Sequence, residues 1–456
     1  MAGTRKTAVV IGNGPVGHRF CERLVEFDGG RNYRLVTFCE EPRPAYDRVR
    51  LTSYFDHRDA SKLAMARLDW YREQGIEIHV GDRATRIDRE RKVVVSQKGW
   101  ETPYDRVVLA TGSRPFVPPI PGVDKRGVFV YRTIEDLDAI IEYAKGARTC
   151  AVIGGGLLGL EAAKAAYDLG LQTHVVEFAP RLMPRQINEA GSQLLVRKIE
   201  ELGVQVHLQC ATQRLAGNGR VEGMEFSDGG RLEADMVIVS AGIRPRDELA
   251  KDCGLEVGQR GGIAVNDNLQ TSDSDIYAIG EAALHRGTVY GLIAPGWEMA
   301  EVAAGRLAGR EVSFAGADMS TKLKLMGVDV ASFGNHEAPP GEAVPLVVED
   351  PFAGVYKKLL LSADGKRLVG GVLVGDAADY PVLSALAKTG EELTVSPAQL
   401  AGMGGAEEPA DSVSVSGDIP ICSCNNVTPN QIRAAIRERQ LGTVEAVKSC
   451  TRAGTG

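Results

Sequence analysis

The sequence has few of the features that mark a membrane protein, a nucleic-acid-binding protein or a disulfide-rich scaffold. No apolar run approaches the roughly 18 to 20 residues that span a bilayer, and the start of the chain lacks a signal-peptide pattern. Lys and Arg number 53 against 60 Asp and Glu, a net charge of −7, so a broad basic field for nucleic acid is missing. Eight Cys in 456 residues are too sparse for a disulfide framework. We therefore expect reduced thiols in a cytoplasmic protein, with neither membrane nor nucleic acid as a partner.

Glycine is the residue that the chain has in excess, 53 of 456 against a usual share of about 7%. Apolar residues at 44% and charged residues at 25% give the balance of an ordinary globular protein. The length is about three times a typical domain of roughly 150 residues, which predicts two or three domains and an appendage. The extra glycine indicates backbone turns built around ligands.

A glycine-rich turn follows the first strand-like run, TAVVI (7–11). It reads Gly12-Asn13-Gly14-Pro15-Val16-Gly17 and opens a stretch with helical periodicity. The first glycine allows the tight turn, the second lets the backbone approach a pyrophosphate, and the third lets helix and strand pack closely. The next strand-like run ends at Glu40, placed to accept hydrogen bonds from a ribose diol. The pattern predicts a dinucleotide site, against the alternative of a glycine-rich turn with a solvated Glu.

The same pattern recurs in the middle of the chain. The strand-like CAVIG (150–154) runs into Gly154-Gly155-Gly156-Leu157-Leu158-Gly159, then into a strong helix former, and the next strand ends at Glu177. Two dinucleotide sites in one chain predict a hydride relay from a nicotinamide cofactor to a flavin. A carboxylate at Glu177 would bond the 2′-OH of NADH and repel the 2′-phosphate of NADPH, which favours NADH. Arg181 and Arg185 lie just beyond and weaken that preference.

Three further strand ends carry small residues at which the chain can approach a cofactor. They are Ala110-Thr111-Gly112, Ser240-Ala241-Gly242 and Ile279-Gly280-Glu281. With them the chain resembles the two-dinucleotide flavoprotein reductases, the glutathione- and rubredoxin-reductase superfamily. The resemblance implies FAD at the first turn, NAD(P)H at the second, and an NAD domain inserted within the FAD domain. It also implies a ribityl contact at Gly280 and Glu281, although the superfamily has Asp where this chain has Glu281.

Many members of that superfamily hold a redox-active Cys near the flavin, and this chain has none in the corresponding stretch, 43–53. We therefore disfavour a disulfide reductase and expect electrons to leave the flavin for another acceptor. We name no catalytic acid or base, because hydride transfer needs positioning and the cofactors carry the chemistry. Arg48 is a candidate positive group beside the flavin, or else a surface arginine. Glu161 is a candidate contact on the nicotinamide side, or else a helix-surface glutamate.

A narrower resemblance covers loops that general flavoprotein architecture would not dictate. The chain is similar to the large subunits of assimilatory NAD(P)H nitrite reductases in the stretches RPAYDRVRLTSYF (43–55), VYRTIEDLDAI (130–140), AGIRPRDELA (241–250), YGLIAPGWEMA (290–300), STKLKLMGVDVASFG (320–334) and others. That family implies electron flow from NAD(P)H to FAD, then to an iron–sulfur centre, then to a sirohaem centre that reduces nitrite to ammonia with six electrons. No paired Cys clusters of a sirohaem site stand in residues 1–456.

Two Cys near the end of the chain, Cys422 and Cys424, stand one residue apart. Thiolates are soft ligands suited to a metal cluster, but a cluster normally takes four. The segment is similar to the bacterioferritin-associated-ferredoxin (BFD) [2Fe–2S] domain, which implies Cys422 and Cys424 as two ligands and a later C-x-x-C as the others. Cys450 falls too early for that pair, and we expect it to be a packed helix residue. We expect the chain to stop within this domain, with a cluster only if the chain continues or another chain completes the ligands.

The expected fold is α/β, with two Rossmann-like three-layer dinucleotide-binding domains, a small α+β domain and a partial helical BFD-like segment. The predicted ranges are 1–120 with 243–315 for FAD, 121–242 for NAD(P), 316–394 for the small domain, 395–419 for a linker and 420–456 for the BFD-like segment. The candidate cofactor-binding residues are Gly12, Gly14, Pro15, Gly17, Glu40, Arg48, Ala84, Thr111, Gly112, Gly280 and Glu281 for FAD, and Gly154, Gly156, Leu158, Gly159, Glu161, Glu177 and Gly242 for NAD(P)H.

Three functions fit this sequence. The first is the NAD(P)H-oxidising, flavin-containing part of a nitrite reductase, with an iron–sulfur and sirohaem centre as its partner. The second is the electron-transfer subunit of an assimilatory nitrate reductase, or a reductase of a small electron carrier such as rubredoxin or ferredoxin. The third, from another class, is a non-catalytic NADH-sensing flavoprotein that binds a partner. The sequence leaves the oligomeric state open.

Overall fold

The fold is described from a computed structural model, which describes residues 5–339, 341–403, 427–451 and 453. The chain divides into two compact units. The first comprises Met1–Phe116, Arg132–Leu137 and Gly242–Asp318, and the second comprises Val117–Tyr131, Asp138–Ala241 and Met319–Gly456. Residues 132–137 therefore cluster with the first unit, although they lie inside the range predicted for the NAD(P)-binding domain.

The first unit is built on a five-stranded parallel sheet in the order β19-β7-β1-β2-β3. Its strands are β1 (Lys6–Ile11), β2 (Tyr33–Cys39), β3 (Glu77–Val80), β4 (Ala84–Asp88), β5 (Val93–Ser96), β6 (Glu101–Pro103), β7 (Arg106–Leu109), β8 (Ser113–Pro115), β17 (Ile243–Pro245), β18 (Ile263–Val265), β19 (Ile276–Ala278) and β20 (Ala283–His285). Its helices are α1 (Pro15–Asp28), α2 (Tyr54–His57), α3 (Leu68–Glu73), the start of α4 (Ile134–Ala144), α7 (Glu248–Asp252) and α8 (Ile293–Leu307). The strands β4-β5-β6 form a small antiparallel sheet, and β8 pairs antiparallel with β17.

The centre of this unit is apolar because its middle strands are covered on both faces. Val9, Val10 and Val36 are fully buried, as expected for β-branched runs in a parallel sheet between helices. On α1, Phe20 and Leu24 lie one turn apart and are both buried, so the helix presents one apolar stripe to the core. Helix α8 packs against α1. The arrangement holds the first glycine turn, between β1 and α1, at the carboxyl edge of the sheet.

The second unit repeats the parallel design and adds an antiparallel sheet. The parallel sheet has the order β12-β11-β10-β16-β9, and the antiparallel one has the order β21-β22-β25-β24-β23. Its strands are β9 (Val128–Val130), β10 (Thr149–Ile153), β11 (Gln172–Val176), β12 (Gln205–His207), β13 (Thr212–Ala216), β14 (Gly223–Phe226), β15 (Arg231–Glu233), β16 (Met236–Val239), β21 (Thr321–Leu325), β22 (Val328–Gly334), β23 (Val344–Asp350), β24 (Val355–Leu361) and β25 (Leu368–Gly375). Its helices are the rest of α4, then α5 (Leu157–Asp168), α6 (Glu189–Glu201), α9 (Tyr380–Thr389), α10 (Pro397–Leu400), α11 (Pro429–Arg439) and α12 (Val444–Thr451). The predicted α/β class with two parallel dinucleotide-binding sheets is confirmed.

Two boundaries near the C-terminus differ from the sequence prediction. The range 395–419 was predicted to be a linker, but its start folds into α10, capped by Ser396 and Gln399, with Leu400 buried in the core of the antiparallel sheet. The sequence Thr428-Pro429 predicts a helix N-cap with Pro at the first helical position, and the Thr428 side chain indeed accepts from the amide of Gln431. Gly442 predicts the end of this helix, but α11 ends at Arg439 because Gln440 already adopts the left-handed conformation.

Within the part of the chain that the structure describes, no helix is long and apolar enough to cross a membrane.

Candidate functional site

The first glycine turn shows which of its glycines the protein itself requires. Gly12 has φ +107°, and a Cβ there would lie 2.3 Å from the carbonyl oxygen of Ala110. A Cβ on Gly17 would lie 2.1 Å from the carbonyl oxygen of Gly12. A Cβ on Gly14, by contrast, would meet no described atom within 4 Å. The outer glycines are thus needed for packing, whereas the middle one borders open space at the N-terminus of α1, where a diphosphate is favoured.

The second glycine turn repeats this geometry in the other unit. A Cβ on Gly154 (φ +118°) would lie 2.3 Å from the carbonyl oxygen of Ser240, and one on Gly159 would lie 1.9 Å from that of Gly154. Gly156 again has nothing described within 4 Å of a built Cβ. Leu158 lies in the first turn of α5 behind it. Each unit therefore holds one cradle that a side chain at the middle glycine would fill.

Glu40 follows the end of β2 and is held by two arginines. Its Oε2 accepts from Nη1 of Arg246 at 2.6 Å, and its Oε1 lies 3.8 Å from Nη1 of Arg83. Partial burial alone would raise the pKa of this carboxyl, but the hydrogen bond and charge of Arg246 outweigh it and lower that pKa. Glu40 is therefore a fixed carboxylate at the carboxyl edge of the first sheet.

The loop after β2 brings Arg48 against a carboxylate. Arg48 forms an ion pair with Glu41, which also accepts from the Tyr46 hydroxyl at 2.7 Å, and the guanidinium lies over the Tyr46 ring. Burial alone would lower the pKa of Arg48, but the Glu41 carboxylate outweighs it and raises that pKa. Its side chain is only 21% exposed. Arg48 is therefore a partly buried, permanently charged group, and the surface-arginine alternative does not describe it.

Glu281 is bonded to two groups that sequence reasoning did not single out. Its Oε2 accepts from Nη2 of Arg132 at 2.7 Å and from Oγ of Ser113 at 2.6 Å. The backbone carbonyl of Arg132 also accepts a long contact, 3.5 Å, from Arg48. The pairs Arg48–Glu41 and Arg132–Glu281 thus stand side by side in the first unit. The only sequence signal for Arg132 was its place in the stretch 130–140 that resembles nitrite reductases.

The remaining candidates of the first unit lie at strand ends and turns. Thr111 donates from Oγ1 to the carbonyl oxygen of Arg246 at 2.6 Å. Gly112 and Gly280 both have positive φ, +66° and +71°. Pro15 is the first residue of α1, and Ala84 is the buried first residue of β4. Gly242, assigned from sequence to NAD(P)H, has φ +105° and clusters with the first unit.

Glu177, at the end of β11, is bonded to backbone amides. Its Oε2 accepts from the amide of Gly155 at 2.5 Å, and its Oε1 accepts from that of Ala179 at 2.7 Å. Arg181 donates to the carbonyl oxygen of Pro184 at 3.0 Å, so it is bonded within its own loop. The carboxylate therefore lies against the second glycine turn.

Glu161, on α5, is half-buried. Burial raises the pKa of this carboxyl to about 7. At neutral pH it is divided between the neutral and the charged form, which an exposed glutamate is not.

Glu161→Gln should flatten the pH dependence of stability. The folded chain binds this proton up to about pH 7, whereas an unfolded glutamate loses it near pH 4.3. Between those values the folded state binds more protons, so the wild-type chain loses stability as pH rises. Gln cannot ionise, so the free energy of unfolding of the variant minus that of wild type should be about 2 kcal/mol larger at pH 8 than at pH 5. Thermal unfolding of the cofactor-free chain at both pH values measures this.

The exposed Glu142 on α4, 75% accessible, supplies the matched control for that experiment. Glu142→Gln should keep the wild-type pH dependence. An unchanged pH dependence in Glu161→Gln would show that Glu161 is not the group that titrates.

The cysteines of the described residues are free and scattered. Cys39 is buried, its Sγ donates to the carbonyl oxygen of Arg43 at 3.1 Å, and burial raises its pKa to about 12, so it is a packed thiol and a poor nucleophile. Cys450 lies half-buried in α12. Cys422 and Cys424 fall outside the described residues, and among the described ones no group of three or more His, Cys, Asp or Glu side chains could hold a metal.

Three family models match most of the chain. The model of the pyridine nucleotide-disulphide oxidoreductases matches residues 6–306. The chain belongs to this family. Two smaller models follow along the chain, the C-terminal domain of rubredoxin NAD+ reductase at 320–391 and the BFD-like [2Fe–2S] binding domain at 420–456. The family implies FAD and NAD(P)H, and the two glycine cradles supply the matching geometry.

Relatives in two bacteria match nearly the whole chain. The chain is 48% identical to the nitrite reductase (NADH) large subunit of Escherichia coli K12, covering 98% of this chain and 53% of that protein. It is 49% identical to the nitrite reductase [NAD(P)H] large subunit of Klebsiella oxytoca. That match covers 99% of this chain and 48% of the Klebsiella protein. It spans about half the length of these relatives. A ferredoxin reductase from Rhodopseudomonas palustris shares the fold, with a TM-score of 0.78, 26% identity, and 88% and 98% of the two chains covered. The chain is thus a pyridine nucleotide-disulphide oxidoreductase by family, and nearly all of it is similar to about half of each nitrite reductase large subunit.

Proposed function

We propose that this chain is the NADH-oxidising part of a nitrite reductase. In this proposal it takes a hydride from NADH and delivers electrons to an iron–sulfur and sirohaem centre outside residues 1–456, where nitrite becomes ammonia. The observation that carries the proposal is the repeated cradle, Gly14 in one unit and Gly156 in the other, each open where a dinucleotide phosphate needs space. Its support from relatives is that nearly all of this chain matches about half of each nitrite reductase large subunit.

The residues of the first unit fit an FAD site. The N-terminus of α1 beside Gly14 favours the diphosphate, Glu40 is a fixed carboxylate for the ribose, and Glu281 replaces the Asp that the family uses at the ribityl chain. When bound, FAD accepts a hydride and releases electrons singly. Arg48 is charged at every working pH, so it stabilises negative charge that develops beside it. The chain supplies binding, orientation and this field.

The residues of the second unit fit the nicotinamide cofactor. Glu177 already presents its carboxylate beside the second glycine turn, where a ribose 2′-OH can donate to it and a 2′-phosphate would be repelled. Glu161, with its raised pKa, is suited to hydrogen-bond an uncharged carboxamide without the full cost of a buried charge. We propose NADH as the preferred donor on the evidence of Glu177.

The electrons need an exit that is not a disulfide. The stretch 43–53 holds no Cys, and the nearby Cys39 is a buried, protonated thiol. The segment that carries Cys422 and Cys424 matches the BFD-like [2Fe–2S] family, and we propose these two thiolates as half of a cluster that receives the electrons.

The test is anaerobic reduction of the purified chain. It should be yellow, release FAD on denaturation, and lose its flavin colour within about one second of mixing with NADH. Combined with a sirohaem-containing partner domain, it should support nitrite-dependent NADH oxidation that yields ammonia. Oxidation driven by nitrate and not nitrite would favour the nitrate reductase alternative, and flavin colour that persists under NADH would favour the sensor. A colourless chain that takes up no FAD would overturn all three.

A further inference from the structure

Arg246 bridges two strand ends of the first sheet. Its amide donates to the carbonyl oxygen of Gly112 at 2.9 Å, and its carbonyl oxygen accepts from the Thr111 hydroxyl at 2.6 Å. Its guanidinium, at the other end of the side chain, is 2.6 Å from the Glu40 carboxylate. The backbone of Arg246 is therefore fixed at the end of β7, and its charge is fixed beyond the end of β2.

The register of the sheet shows what lies between these anchors. Ile11 of β1 is paired with Phe38 of β2 on one side and with Leu109 of β7 on the other. Asn13, Glu40 and Thr111 each follow the end of one of these strands, so all three lie at the carboxyl edge of the sheet. Neighbouring strands are about 4.8 Å apart, so β7 and β2 are about 10 Å apart with β1 in the middle. The Arg246 side chain thus runs across the start of the first glycine turn.

A second donor in the first glycine turn has no partner in the part of the chain that the structure describes. Asn13 is 5% exposed, and its Oδ1 accepts from the amide of Ala45 at 2.9 Å and from the Tyr71 hydroxyl at 3.0 Å. Because a backbone N–H can only donate, these contacts fix the amide with its oxygen toward Ala45. The buried Nδ2 has no hydrogen-bond partner among the described residues. A buried donor left unpaired in this way is costly unless an acceptor arrives from outside the protein.

Three sources of positive potential therefore lie at the edge of the sheet where the first glycine turn begins: the Arg246 guanidinium, the Asn13 amide and the N-terminus of α1 beside the open space at Gly14. Such a set suits a multiply charged oxyanion. Glu40 does not depend on Arg246 alone, because Arg83 lies 3.8 Å from its other oxygen. Arg246 can share its charge with a ligand while Glu40 keeps a counter-charge.

We propose that Arg246 is a further FAD-binding residue, whose guanidinium contacts the diphosphate of the cofactor while holding Glu40 for the ribose. The proposal rests on the FAD site of the proposed function and adds a residue to which the sequence assigned no role.

The test compares FAD affinity of the cofactor-stripped full chain by quenching of flavin fluorescence. Arg246→Gln should weaken FAD binding about 30-fold, the loss of one charge-assisted contact, and should reduce the dependence of that affinity on salt. Arg83→Gln removes an equal charge beside Glu40 without spanning the turn, and should cost less than about threefold. Arg246→Lys keeps the charge and should recover part of the affinity. A folded Lys variant with no recovery would overturn the charge contact.

A double-mutant cycle with Glu40→Gln separates a direct contact from an indirect one. If Arg246 touches the diphosphate, Arg246→Gln should cost a similar factor in the Glu40→Gln background. No further loss in that background would mean that Arg246 acts only through Glu40, against the proposal. Tight FAD binding by both wild type and Arg246→Gln would overturn this proposal alone. Failure of the wild-type chain to bind FAD would overturn the proposed function as well.

Discussion

Gly14→Ala should yield a folded chain that has lost its FAD. The backbone at Gly14 has φ −83° and ψ −172°, which alanine adopts without strain, and its Cβ would meet no described atom within 4 Å. The methyl group would instead occupy the space that the cofactor diphosphate needs. We expect FAD affinity to fall more than about 100-fold, since a contact at the diphosphate is replaced by a steric clash. Flavin content and fluorescence titration measure this, with circular dichroism and thermal unfolding reporting the fold.

Gly17→Ala, in the same turn, is the matched control. Its Cβ would lie 2.1 Å from the carbonyl oxygen of Gly12, so this variant should be destabilised whether or not FAD is present. The two variants should therefore differ: Gly14→Ala should lose FAD while it stays folded, and Gly17→Ala should lose stability. A Gly14→Ala protein that keeps wild-type FAD content would show that the open space is not the diphosphate site.

Glu177→Ala should remove most of the preference for NADH. The variant loses the carboxylate that is placed to accept from the ribose 2′-OH, so the KM for NADH should rise about 30-fold. For NADPH, the loss of a charge that repels the 2′-phosphate favours binding, so its KM should change by less than about threefold. Steady-state reduction of an artificial acceptor with each cofactor measures both values.

The control must account for the structural bonds that the same carboxylate makes. Glu177 accepts from the amides of Gly155 and Ala179, so Glu177→Ala should also lower the unfolding temperature. Glu177→Gln keeps an acceptor oxygen and removes the charge, and should relax the selectivity with less loss of stability. Equal losses for NADH and NADPH in both variants would contradict the role at the ribose.

The sequence was most informative where structure depends on neighbours along the chain. The two strand, glycine-turn and helix units were predictable because β-branched runs, glycine spacing and helical periodicity are local signals. The N-cap Thr428 followed by Pro429 is an equally local signal. The end of α11 was misplaced since Gln440, a residue with no special tendency to the left-handed region, adopts it with φ +51°.

The charged partners of the site were beyond sequence reasoning for a physical reason. Arg132 meets Glu281 across 149 residues of sequence, and Arg246 meets Glu40 only because β7 and β2 flank β1. No spacing or periodicity encodes such a meeting. The first residues of the predicted linker were misread in a similar way, because their small-residue composition hid Leu400, whose burial depends on the antiparallel sheet.

The contrast between outer and middle glycines also has an evolutionary consequence. Gly12, Gly17, Gly154 and Gly159 are constrained by the chain's own backbone, so purifying selection acts on them in any descendant that still folds. Gly14 and Gly156 are constrained only by what binds beside them. In a lineage that had abandoned one of its dinucleotides, drift should therefore reach the middle glycine of that turn first. The state of these two positions would then record which cofactor a divergent homologue has given up.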